Sequence, residues 1–254
     1  MSLFRRLAII SCLMLCSAAP GHADRRYFVQ SNSPYLAPAG NLELEVFSIA
    51  ASGRGDTTGT AWKNRIEFEY GITDRLTGAA YLNFVQPAGA GAPMSFDGPS
   101  LELVYRLAET GTLPVDPAAY LEVRANGSEL EIEPKLLLGR RIYRLVTTVN
   151  VVGEFERSSD GTIEKNLLLT AGASREIGRV VAVGIEAVYE RGFVEDGPDV
   201  SSVLLGPTIN FQTPKVQLAL GWHPQISGRP ASAGRLNLVD FPRSEVRLIV
   251  GVEL

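Results

Sequence analysis

The chain has 254 residues, with 28 acidic side chains against 24 basic ones and only two cysteines, Cys12 and Cys16. That balance, with no basic patch, excludes a general nucleic-acid binder. Two cysteines close to the start exclude a disulfide framework and a Cys/His zinc module.

The first residues, Met1-Ser2-Leu3-Phe4-Arg5-Arg6, are basic, Leu7 to Ala19 is apolar, and Gly21-His22-Ala23 offers a small-x-small cleavage site. This pattern predicts a secretory signal peptide over residues 1–23, the apolar run being short for a retained membrane helix. The alternatives are an uncleaved anchor and a lipoprotein signal ending at Cys16, the latter disfavoured by the bulky Leu15. Cleavage removes both cysteines and leaves 22 basic against 28 acidic residues, a formal charge of −6. No later stretch reaches the roughly 18 apolar residues of a membrane helix. Residues 24–40, with Pro34 and Pro38, read as an irregular periplasmic lead-in. Residues 41–254 form one all-β domain.

Two-residue alternation recurs through that domain, whereas the helical period does not. It predicts about twelve antiparallel strands, at roughly 41–51, 61–71, 76–86, 99–107, 118–125, 129–139, 144–156, 164–174, 179–190, 202–212, 215–223 and 244–253. The second is the most explicit. Trp62, Ile66, Phe68 and Tyr70 lie on one face, and Lys63, Arg65, Glu67 and Glu69 on the other. Successive side chains of a strand point to opposite faces. An apolar outer face, a polar inner face and aromatics at both ends describe a strand of an outer-membrane barrel. From Trp62 to Tyr70 such a strand, tilted by about 40°, spans roughly 21 Å of bilayer. Later strands repeat the pattern: Leu101, Leu103 and Tyr105 oppose Glu102 and Arg106, and Val246, Leu248, Val250 and Val252 oppose Glu245, Arg247 and Glu253.

Connections after even strands are mostly short (72–75, 140–143, 175–178 and 213–214, with 108–117 longer). Those after odd strands include the Gly-, Pro-, Ser- and Asp-rich segments 86–98, 191–201 and 224–243. Short periplasmic turns and longer extracellular loops follow, with both termini periplasmic. Trp62, Phe84, Phe155, Tyr189 and Trp222 then belong to an outer aromatic girdle, and Tyr70, Tyr105 and Phe211 to an inner one. Pro134 and Pro207 fall inside expected strands and each removes a ladder donor, so bulges or shifted boundaries are expected there. A secreted soluble β-sandwich is the alternative architecture.

The run Glu69-Tyr70-Gly71-Ile72-Thr73-Asp74-Arg75-Leu76 and the motif Asp97-Gly98-Pro99-Ser100-Leu101-Glu102 resemble outer-membrane, transporter-like barrels annotated from the phenol meta-cleavage degradation pathway. The resemblance implies a barrel in the outer membrane and uptake of small, often hydrophobic compounds. Its motifs are turn signatures and carry over no binding residue. Outer-membrane barrels usually end on an aromatic; here that position is Leu254.

Little points to catalysis. His223 reads as a residue at the barrel rim, and Ser227, past Pro224, is poorly placed to be its nucleophile. No enzyme activity, cofactor or metal is expected. The turns Ser159-Asp160-Gly161 and Asp196-Gly197-Pro198-Asp199 lack a calcium-loop pattern. The functional candidates are inward charges: Lys63, Arg65, Glu67, Glu69, Glu102, Arg106, Glu122, Arg124, Glu131, Glu133, Lys135 and Arg247. They either fill the lumen with cross-strand ion pairs or line a narrow, cation-favouring path. Twelve strands imply a backbone diameter of roughly 24 Å. Long side chains, or residues 24–40, would occlude much of it. The expected function is a narrow channel or transporter for small molecules, and the alternative a structural or surface-interaction barrel with a plugged lumen. Expected partners are outer-membrane lipid, a small-molecule solute and the barrel-assembly machinery, without nucleic acid.

Overall fold

The computed structural model describes residues 25–55, 58–194 and 197–254. The expected signal peptide and Asp196 lie outside the described residues. Alternation produces twelve strands and, among the described residues, no helix: β1 (Leu42–Ser52), β2 (Thr60–Thr73), β3 (Leu76–Gln86), β4 (Ser95–Arg106), β5 (Asp116–Ala125), β6 (Glu129–Ile142), β7 (Leu145–Ser158), β8 (Ile163–Ile177), β9 (Val181–Phe193), β10 (Val200–Gln212), β11 (Val216–Arg229) and β12 (Ser244–Glu253). Each pairs antiparallel with its neighbours in sequence, and β1 pairs with β12 to close a barrel. Closure removes the sheet edges. It also excludes the sandwich, which needs a second sheet.

Strand parity sorts the side chains. Leu101, Leu103 and Tyr105 of β4 point outward and are at least 46% exposed, while Ser100, Glu102 and Val104 between them are buried inward. A water-soluble protein reverses this preference; a barrel whose outer face meets hydrocarbon requires it. Trp62 pairs with Ala50, Ala50 with Val246, and Val246 with Trp222, so both tryptophans stand on one hydrogen-bonded row.

Glu43 of β1 pairs with Glu253 of β12, so both termini share one end, the turn end. Its connections are 74–75, 107–115, 143–144, 178–180 and 213–215. The opposite, loop end carries the connections 53–59, 87–94, 126–128, 159–162, 194–199 and 230–243. Loop 126–128 is as short as the predicted strand bounds made it, loop 159–162 is shortened because β7 and β8 run past their predicted ends, and 107–115 is a long turn.

Both prolines remain inside strands. Pro134 pairs with Leu121 on one side, and the ladder to β7 skips from Ile132 to Lys135 without a change of register. Pro207 pairs with Ile185, and the ladder to β11 opens between Leu204 and Thr208, beside a bulge at Val203/Leu204. A residue without an N–H interrupts pairing on one side only.

Candidate functional site in the barrel lumen

Residues 25–40 are not a lead-in outside the barrel but occlude the lumen, the other place the sequence offered for this segment. They enter the lumen from the turn end, climb to mid-depth and return to start β1. Near the turn end, Arg25 donates through Nε to Asn210 (2.5 Å) and through Nη2 to the Val180 carbonyl (2.8 Å). The Tyr27 hydroxyl donates to Glu176 (2.5 Å) and accepts from Arg141. At the apex, the Gln30 side chain reaches Glu245 (3.0 Å) and the Asn32 N–H donates to Asn150 (2.7 Å). On the return, Tyr35 donates to Asp116 (2.9 Å), and the Gly40 N–H to the Gly71 carbonyl (2.7 Å).

Apolar packing holds the same segment. Tyr27 and Phe28 pack with Val146 and Ala182; Val29 packs with Ala219, Ile249 and Phe47; Leu36 rests on Val104, Ala118, Tyr120 and Leu137. Burying a side chain such as Phe28 or Val29 is worth roughly 1.5–3 kcal/mol, offset by the ordering entropy of the chain.

The wall is shaped to receive the segment. A Cβ at Gly139 would lie 2.6 Å from the Pro34 ring, and one at Gly221 would lie 2.5 Å from Val29. At Gly172 it would strike the Phe28 ring, and at Gly71 the Pro38 carbonyl. Four strands thus carry an inward glycine where the plug approaches. A strand-interior glycine weakens a strand and often marks such a close approach.

Glu186, fully buried at the middle of β9, is the strongest polar anchor. Its Oε1 accepts from the backbone N–H groups of Ser31 (2.5 Å) and Gln30 (3.1 Å), and Oε2 from those of Val29 and Gln30 (both 3.2 Å). One carboxylate thereby satisfies three successive N–H groups of a segment with no strand partner. His223 stands behind it, with Nε2 3.4 Å from Glu186 Oε2. The rim position predicted for His223 is corrected: β11 continues to Arg229, so His223 is a fully buried wall residue.

The inward charges divide by depth. Toward the loop end they pair along the wall. Arg65 pairs with Glu122, donates to Asn83 (2.9 Å), and lies 4.0 Å from the Tyr81 ring centroid. Lys135 meets Glu133 (2.7 Å) and Tyr120, and donates to Asn32 of the plug (3.2 Å). Arg247 meets Glu245 (3.0 Å). Arg124 gathers Asp97, Glu129, Glu131 and Glu156 within 4 Å. Lys63 stands in the same half, within electrostatic reach of Glu190 and Glu245. Arg106 sits apart at the turn end, 3.2 Å from Glu109.

Toward the turn end the charges crowd on one side of the lumen. Glu43 and Glu45 of β1 stand opposite Glu69 and Glu67 of β2. Glu102 of β4 is close by and accepts from the Tyr81 hydroxyl. The counter-charge comes from the plug: Arg26 donates through Nη2 (2.6 Å) and Nε (3.1 Å) to Glu45, and its Nη2 lies 3.6 Å from Glu67 and 3.9 Å from Glu69. The guanidinium also stands 5.5 Å from the centroid of the Phe47 ring.

Sequence reasoning missed Arg25 and Arg26 as plug residues and the neutral inward groups Asn150, Asn210 and Gln217. The available signals were the inward strand glycines and the apolar triplet Tyr27-Phe28-Val29 in a segment otherwise read as irregular. A cavity of about 160 Å³ remains on the loop side of the plug, lined by residues including Phe47, Arg65, Tyr81, Lys135 and Arg247. A second of about 40 Å³ adjoins Arg26 and the glutamates.

Residues 140–254 match the model of a family of unknown function (DUF6662). No curated protein sequence matches the chain. Among solved structures, the chain is similar to the COG4313 outer membrane channel from Pseudomonas putida F1 (TM-score 0.68, 12% identity, 89% of this chain and 100% of that one). It is also similar to the KdgM porin (TM-score 0.58, 9% identity, 84% and 99%) and the NanC porin (TM-score 0.53, 12% identity, 83% and 100%). At these identities the likeness is one of fold: the chain is a closed twelve-stranded barrel of the architecture of outer-membrane channels and porins.

Proposed function

We propose that this protein is an outer-membrane channel or transporter for small molecules, held closed by its own N-terminal segment. The observation that carries the reading is the lumen: a charged interior inside an apolar exterior, occupied from the turn end by residues 25–40. Placed in a bilayer, the turn end faces the periplasm and residues 1–23 act as the export signal. The named structural relatives are channels and porins rather than enzymes, which supports passage over catalysis. The turn-motif resemblance to phenol-pathway transporters favours a small organic solute. The inward charges, Lys63 to Arg247, would form the walls of the path.

The plug fills the lumen from the turn end to mid-depth, so passage requires it to move. Single-channel recording of the purified protein in planar bilayers tests the reading. Brief, infrequent openings are expected, with frequency set by the plug. Silence at every voltage, in this protein and in one lacking residues 25–40, rejects a channel. That same occlusion favours the second reading, a surface-interaction barrel working through loop 230–243; deleting that loop would then abolish partner binding with the barrel intact.

A further inference from the structure

Five carboxylates, Glu43, Glu45, Glu67, Glu69 and Glu102, converge from three strands at the turn-end side of the lumen. Arg26, a residue of the plug, reaches in among them. Its contacts are uneven. Glu45 receives a forked pair of hydrogen bonds, whereas Glu67, fully buried, faces the guanidinium at 3.6 Å. Neither Glu67 oxygen accepts a hydrogen bond among the described residues. A buried carboxyl group without a donor is costly, and a single plug guanidinium faces five wall carboxyl groups. The Gln217 amide donates to Glu43 and Glu45, so the acceptor capacity that Arg26 and Gln217 leave unused lies at Glu67. The Phe47 ring adds an aromatic face to the same spot, and a residual cavity of about 40 Å³ lies beside it.

We propose that this glutamate cage is a binding site for small organic cations bearing a planar guanidinium or a similar multi-donor head group, and that Arg26 occupies it as a tethered stand-in when the plug is seated. A planar fork matches paired carboxylates in geometry as well as charge, and the aromatic face favours a weakly hydrated cation. The inference rests on the transport reading and sharpens it. A cationic solute arriving in the cage takes the place of Arg26, and the plug loses an anchor as the solute gains one. Solute binding and plug release are then the same exchange.

The probe is methylguanidinium, titrated calorimetrically into the full-length protein in detergent micelles at constant ionic strength, with sodium as the reference cation. R26Q is expected to bind methylguanidinium at least tenfold more tightly than the wild-type protein and tenfold more tightly than sodium. R26K, which refills the cage, should bind it as weakly as the wild type, and adding E67Q to R26Q should cancel the gain. Equal affinity in R26Q and wild type, or sodium bound as tightly as methylguanidinium, overturns the site. If R26Q does not fold, the wild type decides in bilayers. Millimolar methylguanidinium should raise its opening frequency several-fold, E67Q should remove the response, and no response in the wild type overturns the proposal. Conductance judges the transport reading separately. Binding of methylguanidinium with no current from either this protein or the form lacking residues 25–40 rejects the channel alone, and conduction without a preference for methylguanidinium over sodium rejects the site alone.

Discussion

The two halves of the lumen are built from the same residue types and balanced in different ways. In the loop-end half, Arg65, Arg124, Lys135 and Arg247 each meet a carboxylate on their own or a neighbouring part of the wall. In the turn-end half, the glutamates of β1, β2 and β4 crowd together and the guanidinium among them belongs to the plug. The first half keeps its ion pairs whatever the plug does. The second is balanced by a segment that no ladder hydrogen bond fixes along its length. The difference separates a wall balanced within itself from one balanced by the plug, and puts that plug where the carboxylates concentrate.

Removing residues 25–40 breaks the comparison most severely. The loop-end pairs would remain, while the glutamates of the turn end would face water. The expected outcome is a steadily open, cation-selective conductance together with a lowered melting temperature, because like charges at close range then repel without a counter-ion. Reversal potentials in a salt gradient read the selectivity; anion selectivity would contradict the assignment of the exposed glutamates to the path.

Glu186→Ala should come next. It withdraws the acceptor of three plug N–H groups and leaves the barrel ladders untouched. Hydrogen bonds to a charged group are worth roughly 1.5–3 kcal/mol. A loss of about 3 kcal/mol corresponds to roughly a hundredfold rise in the unseated population. Faster hydrogen exchange at Val29–Ser31, with unchanged exchange in β9, is the expected signature. Gly172→Ala should act more weakly. Its new Cβ strikes the Phe28 ring, and overpacking costs typically about 1–3 kcal/mol. Phe28→Ala in the same chain should relieve the clash; a double variant as disturbed as the sum of the single ones would place the strain in the strand instead.

The barrel was readable in advance because a strand facing lipid on one side and polar groups on the other writes its geometry every second residue. Trp62 to Tyr70 is the clearest case, and twelve such strands emerged close to their expected bounds. The depth of His223 was misjudged because β11 runs on through Pro224 to Arg229, and a proline there reads as an end. The path of the plug was not legible for a different reason. Residues 25–40 have no period, since their backbone groups are satisfied by side chains such as Glu186 and Asn150 that are distant in sequence. The local marks were the apolar triplet Tyr27-Phe28-Val29 and, in the wall, the glycines Gly71, Gly139, Gly172 and Gly221. The charges from Lys63 to Arg247 could be assigned to a face by parity alone, but parity does not say which of them a re-entrant segment will meet.

The smallest expected effect lies outside the lumen and serves as a control on the comparison. Arg75, in the turn after β2, donates to Glu109 in the turn after β4, at 2.8 Å through Nε. Those hydrogen bonds first, and the guanidinium charge second, hold the Glu109 carboxyl below its ordinary value of 4.5. A depressed carboxyl stabilises the fold above its unfolded-state value and loses that contribution as pH falls through its folded-state value, so the effect is confined to pH below about 4.5. Both side chains are solvated and their pairing is screened. Glu109→Gln should leave melting at pH 7 almost unchanged and slightly flatten the acid limb of the melting-temperature profile. It should leave plug exchange and conductance unaltered. A change in either would mean that the turns of the turn end are coupled to the plug, and that the two halves of the lumen do not respond independently.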